Sequence, residues 1–119
     1  MLRIEGTKFG SVTIDGETYE DVLIVEGKVL RRDKDKIRAI YGTSHVVRKE
    51  ETEELLKGNP EVVIIGTGQY GSLSVDPEVA SLIREAGAEL IALETPKAIQ
   101  KFNEISTTKH TNALLHVTC

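Results

Sequence analysis

The residues with most potential for chemistry lie in one run, Gly66-Thr67-Gly68-Gln69-Tyr70-Gly71, which fits G-x-G-x-x-G and follows the apolar stretch Val62-Val63-Ile64-Ile65. Glu94 stands roughly 20 residues further on, where a ribose-binding acid would be placed in a dinucleotide site. That chemistry needs a helix opening inside the glycine run, so that free N–H groups and the helix dipole meet the pyrophosphate. Here Ser72-Leu73-Ser74-Val75 intervenes, and the first capping signal is Asp76. An aspartate cap engages the helix amides itself and sets a negative charge where phosphate would lie. The dinucleotide reading therefore lacks its structural context. A looser one survives, because open α/β sheets place ligands in loops at the carboxyl ends of parallel strands. Gly66, Gly68 and Gly71 would let a ligand, such as a small anion, approach the backbone, and Thr67, Ser72 and Ser74 offer hydroxyls. The plainer alternative is that these glycines only permit positive φ in a long turn. Glu94 and Lys97, at the end of the next predicted strand, would add polar groups to a 66–76 site, although a lysine so placed is more often simply a solvated side chain.

Other reactive side chains form no set. His116-x-x-Cys119 has metal-like spacing, but strand alternation puts His116 with Leu114 and Cys119 on the opposite face with Leu115 and Val117. A second closely spaced pair of ligands is missing. No metal and no cofactor is expected, and Cys119 has no evident base. His45 follows Tyr41-Gly42-Thr43-Ser44 in a polar loop, where it is either a site residue or a histidine that orients a turn. G-x-S-x-G, H-E-x-x-H and P-loop patterns are absent.

These residues need a scaffold, and the second half of the chain supplies a clear one. Val62 to Ile65 is a continuous apolar run, the mark of a strand covered on both faces. Asp76-Pro77 caps and starts a helix striped by Val79, Leu82, Ile83 and Ala86 and ended by Gly87. Leu90-Ile91-Ala92-Leu93 reads as a second buried strand. Thr95-Pro96 predicts a second helix by the same cap-then-proline device, striped by Ala98, Ile99, Phe102 and Ile105. Ala113-Leu114-Leu115-His116-Val117 closes a β-α-β-α-β unit with right-handed crossovers. The first 32 residues read as antiparallel hairpins. Asp15-Gly16 turns Ser11-Val12-Thr13-Ile14 into Glu17-Thr18-Tyr19, and Glu26-Gly27 turns the run from Val22 into Lys28-Val29-Leu30. Residues 31–49 carry no clear period beyond a short strand at His45-Val46-Val47. Residues 49–57 read as a helix stopped by Gly58 and Pro60.

Composition narrows the function classes. At 119 residues the chain is expected to be one domain, 1–119. One cysteine excludes an intrachain disulfide, and no apolar run approaches the ~18 residues of a membrane span. A cytoplasmic protein that avoids membranes is the simplest expectation. Net charge is −4, and 4% aromatic residues with no Trp leave neither a basic face nor a stacking platform for nucleic acid. The basic patch Arg31-Arg32-Asp33-Lys34-Asp35-Lys36 alternates with acids and reads as a solvated loop.

Several segments together resemble the MTH938-like family, a domain of unknown function, and especially its small archaeal members. They are Tyr41-Gly42-Thr43-Ser44-His45, the strand ending in Gly66-Thr67-Gly68, the start Thr95-Pro96-Lys97-Ala98 with Phe102-Asn103, and Leu115-His116-Val117-Thr118-Cys119. The resemblance implies a three-layer α/β fold with a mixed central sheet and an additional antiparallel portion. It implies no reaction. Some eukaryotic relatives are linked to assembly of respiratory complex I and others to cell differentiation, but these usually carry Tyr-Asn where this chain has Phe102-Asn103. Two functions follow as expectations. One is a non-catalytic binding or assembly module, with an exposed apolar patch near Tyr70 and Leu73 and a protein partner or a second copy of itself. The other is a small-molecule or anion-binding protein, with or without catalysis, whose site is the 66–76 loop with His45 nearby.

Overall fold

The computed structural model describes residues 2–119. Its chain order is β1 (Ile4–Lys8), β2 (Ser11–Ile14), β3 (Glu17–Tyr19), β4 (Val22–Val25), β5 (Lys28–Arg31), α1 (Lys34–Tyr41), β6 (Val46–Val47), α2 (Lys49–Leu55), β7 (Val62–Thr67), β8 (Ser74–Val75), α3 (Pro77–Glu85), β9 (Glu89–Leu93), α4 (Thr95–Ile105) and β10 (Thr111–His116). Both predicted hairpins form. Asp15 and Gly16 have φ of 48° and 84°, and Glu26 and Gly27 have 52° and 75°, the paired positive values a two-residue type I′ turn requires.

The central sheet runs β5-β4-β10-β7-β9. Strand β10 is parallel to β7 on one side and antiparallel to β4 on the other, and this makes the sheet mixed. The β4–β5 hairpin thus extends the β-α-β-α-β unit (β7, α3, β9, α4, β10) instead of standing apart from it. On one face, Val22, Ile24, Val62, Ile64, Ala113 and Leu115 pack against Ala98, Ile99 and Phe102 of α4 and against Ile4, Val12 and Ile14 of a separate β1-β2-β3 sheet. On the other, Leu23, Val25, Val63, Ile65 and Leu114 meet Leu55 of α2 and Val79 and Ile83 of α3. Alternating residues of the same strands feed both clusters, as the period of two demands. The result is three layers.

Four expectations need correction. Strand β1 was not foreseen; it joins β2 through a register irregularity near Gly6, and Asn103 of α4 holds both the N–H and the carbonyl of Ile4 at 3.0 and 2.7 Å. Residues 34–41 form a helix, not a loop. Asp33 caps it by accepting from the Lys36 amide at 3.0 Å, Gly42 ends it at φ 79°, and only Ile37 is buried, so the apolar stripe is too thin to show. Strand β9 is half-exposed, because it lies at the sheet edge and pairs with β7 alone. Finally, Glu94 and not Thr95 sits at the cap of α4, with no side-chain bond to the helix; the Thr95 hydroxyl is buried and used elsewhere. Among the described residues, no helix is long and apolar enough to cross a membrane.

Candidate functional site

The carboxyl ends of β7, β9 and β10 come together as parallel strands must, bringing Thr67, Leu93 and His116 to one edge of the sheet. The glycine-rich loop after β7 folds over that edge, and its backbone donors are all engaged within the chain. The Gly68 amide donates to Thr95 Oγ1 at 2.9 Å, and that hydroxyl donates to the His116 carbonyl. The Gln69 amide donates to the Thr118 carbonyl at 2.8 Å. The Tyr70 and Ser72 amides converge on the carbonyl oxygen of Cys119 at 3.3 and 2.8 Å, Gly71 donates to Gly68, and Leu73 to Thr67. An anion would have to displace residues 118 and 119 to use these groups. Gly68 is at φ 105°, and a Cβ there would lie 2.3 Å from the Cys119 carbonyl carbon. The glycine therefore serves a close approach of backbone to backbone.

Other contacts strap residues 117–119 down. The Val117 carbonyl accepts from the Gly10 amide at 2.9 Å and from Gln69 Nε2 at 3.3 Å. The Val117 amide donates to Asp21 Oδ1 at 2.8 Å. Asp21 is the pivot of a buried polar cluster the sequence reading missed. Its Oδ2 accepts from Arg32 Nη1 at 3.1 Å and lies 2.8 Å from His116 Nδ1. The guanidinium then grips Glu51 with two bonds, Nε to Oε2 at 2.8 Å and Nη2 to Oε1 at 2.9 Å, and also donates to the Val46 carbonyl. His116 Nε2 is 3.1 Å from Thr118 Oγ1. Burial opposes the charged form of Asp21, yet the bonds from His116 and the Val117 amide outweigh it and hold the carboxyl below its ordinary range. For Arg32, burial likewise opposes the charge, and Glu51 and Asp21 more than offset it. Arg32 belongs to the charged run taken as a solvated loop, and that reading fails here: its side chain has no exposed surface. A signal for the cluster was present in His116, a polar residue within an apolar run, since a buried side chain of that kind needs a partner.

The sequence-selected residues divide as follows. Gly66, Thr67, Gly68 and Gly71 share the edge with His116, and Glu94 packs beside Gly71. His45, just before β6, joins them: its ring stands edge-on to His116 with centroids 5.2 Å apart, its amide donates to Thr43 Oγ1, and its carbonyl accepts from Ser74. Ser72 and Lys97 are exposed, and neither side chain makes a hydrogen bond among the described residues. Among the described residues, no group of three or more His, Cys, Asp or Glu side chains is placed to hold a metal ion. The expected apolar patch needs revision. Tyr70 is 75% exposed, whereas Leu73 is 2% exposed and packs in the core between α3 and the sheet. The partner of Tyr70 at the surface is Phe9, 57% exposed, with ring centroids 6.3 Å apart.

The fold and the sequence match known proteins. The family model described as a protein of unknown function (DUF498/DUF598) matches residues 4–116. The chain belongs to this family. It is 37% identical to conserved hypothetical protein PH1505 from Pyrococcus horikoshii OT3 over 98% of this chain and 99% of that one, with a TM-score of 0.90. It is equally 37% identical to MT938, covering 100% of both chains with a TM-score of 0.84. These likenesses make the chain MTH938-like in fold and sequence. An outer membrane protein from Bartonella henselae, 21% identical, covers 96% of this chain and 93% of its own at a TM-score of 0.76, and shares the fold alone.

Proposed function

We propose that this MTH938-like chain is a non-catalytic interaction module that pairs with a second copy of itself through the face built on Phe9 and Tyr70. The observation that carries the reading is the make-up of that face. Two large aromatic rings stand exposed side by side, where buried aromatic area would contribute most of the affinity of an interface. Lys8 precedes Phe9 in the chain, and Glu94 lies beside Gly71, which follows Tyr70. A cation and an acid near the aromatic pair would suit an isologous contact in which Lys8 of each copy meets Glu94 of its partner. The patch is also rigidly held. Gln69 Nε2 donates to Thr7 Oγ1 at 2.9 Å and to the Lys8 carbonyl at 3.2 Å, tying the loop that carries Tyr70 to the β1–β2 turn that carries Phe9. The non-catalytic reading is supported by the burial of Asp21, Arg32, Glu51 and His116, which keeps these groups away from a substrate.

Sedimentation equilibrium tests this. The wild type is expected to dimerise at micromolar concentration, and Tyr70→Ala or Phe9→Ala to weaken the dimer by about tenfold or more. Lys8→Glu should weaken it too, and adding Glu94→Lys should restore it. A wild type that stays monomeric at high micromolar concentration, or a dimer indifferent to all four substitutions, overturns the proposal.

A further inference from the structure

A cleft opens at the corner where the β3–β4 junction meets the turn from β5 into α1, with Gly10 and Asp21 in its lining. Its volume of about 530 Å³ falls within the range of small-molecule sites, roughly 300–1,000 Å³. The wall from the small sheet presents Ser11, Thr18 and Glu20, and the opposite wall presents Arg31 and Lys34.

Charge pairing decides what such a cleft would hold. The other acids that line it are already engaged: Asp21 by Arg32, His116 and the Val117 amide, Asp33 by the Lys36 amide, and Asp35 by Arg38 at 3.1 Å. Arg32 is likewise consumed by Asp21 and Glu51. Arg31 and Lys34 form no ion pair among the described residues, so the cleft holds two uncommitted cations in a protein of net charge −4. Glu20 is its one acid without a hydrogen-bond partner. Asp21 makes its bonds in the cluster beneath, and Lys34 lies near enough to feel its charge.

We infer that this cleft is a binding site for a small phosphorylated polyol, with the phosphate on Arg31 and Lys34 and the hydroxyls on Glu20, Ser11 and Thr18. A guanidinium offers the forked donors that match a phosphate, and an ammonium adds a point charge. An isolated carboxylate facing them suits hydroxyl donors and disfavours a second phosphate. The site uses none of the glycine-rich loop, whose amides are occupied, and it borders the turn that carries Phe9 through Gly10 and Ser11.

The test is a ¹⁵N–¹H titration of the full chain with ribose 5-phosphate, inorganic phosphate and ribose. It is repeated in Tyr70→Ala, so that failure of the dimer and failure of the cleft are told apart. Ribose 5-phosphate is expected to give saturable shifts at millimolar or lower concentration, centred on residues 11, 18, 20, 31 and 34. Arg31→Glu with Lys34→Glu should weaken it about tenfold or more while signals elsewhere stay in place. Glu20→Gln should weaken ribose 5-phosphate and leave inorganic phosphate unchanged, which separates recognition of a polyol from mere anion attraction. Three outcomes overturn the inference: no saturable shift, equal affinity in the double variant, or shifts centred on the 66–76 loop.

Discussion

Two regions of this molecule hold its polar groups in opposite ways. At the glycine-rich loop the donors are backbone amides, and backbone carbonyls of residues 118 and 119 take them. At the β5–α1 corner the donors are side-chain charges, and Asp21, Glu51 and the Val46 carbonyl take those of Arg32. The first region is governed by shape, because a close approach of two chains tolerates no Cβ. The second is governed by charge, because a buried ion is stable only while its partners are present. Substitutions should separate the two.

The largest effect is expected from Arg32→Met, which leaves Asp21 and Glu51 buried without their cation. Breaking such a cluster costs about 3–5 kcal/mol, much of the roughly 5–15 kcal/mol a domain possesses. Urea unfolding monitored by circular dichroism checks it, and a midpoint close to wild type would mean that water reaches the cluster. Adding Glu51→Gln to Arg32→Met should recover part of the loss, since one of the stranded charges is then gone.

Gly68→Ala comes next and probes shape alone. The added methyl collides with the Cys119 backbone, and φ of 105° is strained for any residue with a Cβ. A loss of roughly 2–3 kcal/mol is expected, and it should be local. Hydrogen exchange at the Tyr70 and Ser72 amides should accelerate while that of β7 holds, and uniform acceleration would contradict the separation of the two regions. Thr95→Val should cost less, about 1–2 kcal/mol. It removes one hydroxyl that accepts from Gly68 and donates to His116.

The contrast also explains what could be read from the chain. Val62 to Ile65, the Asp76-Pro77 start and the stripe from Ala98 to Phe102 are local patterns, and each became the element it announced. Strand β1 offers a single inward apolar residue, Ile4, so its pairing is set by contacts with β2 and α4 and by no period of its own. Arg32 is chemically indistinguishable from Arg31 beside it, yet one is buried and the other exposed. The difference lies in strand register: Val22 pairs with Arg31, and the Arg32 amide turns back onto the Asp21 carbonyl. The glycine run showed that backbone would be approached closely, but not by what. Its occupant lies some fifty residues along the chain, and only the parallel pairing of β10 with β7 brings it there.

The smallest expected effect is the pH dependence that charge imposes on one region and not on the other. Asp21 has its folded pKa held below the ordinary value of 3.8. A carboxylate so shifted contributes stability that is present above its unfolded pKa, near 4, and is lost as pH falls through the folded value. Wild-type urea midpoints should therefore fall below about pH 4, and part of that fall should vanish in Asp21→Asn, whose side chain does not ionise. Other carboxylates titrate in the same window, among them Asp76, held low by the Glu78 amide and by Arg48, so the slope will not disappear. The decisive quantity is the difference between variants. Gly68→Ala should shift the whole curve down and keep the slope that Asp21 contributes, because the substitution leaves the Asp21 cluster intact. Asp21→Asn should lower the curve and flatten it. Equal slopes in all three proteins would mean that ionised Asp21 is worth no more folded than unfolded, and that the cluster fixes geometry without adding charge-dependent stability.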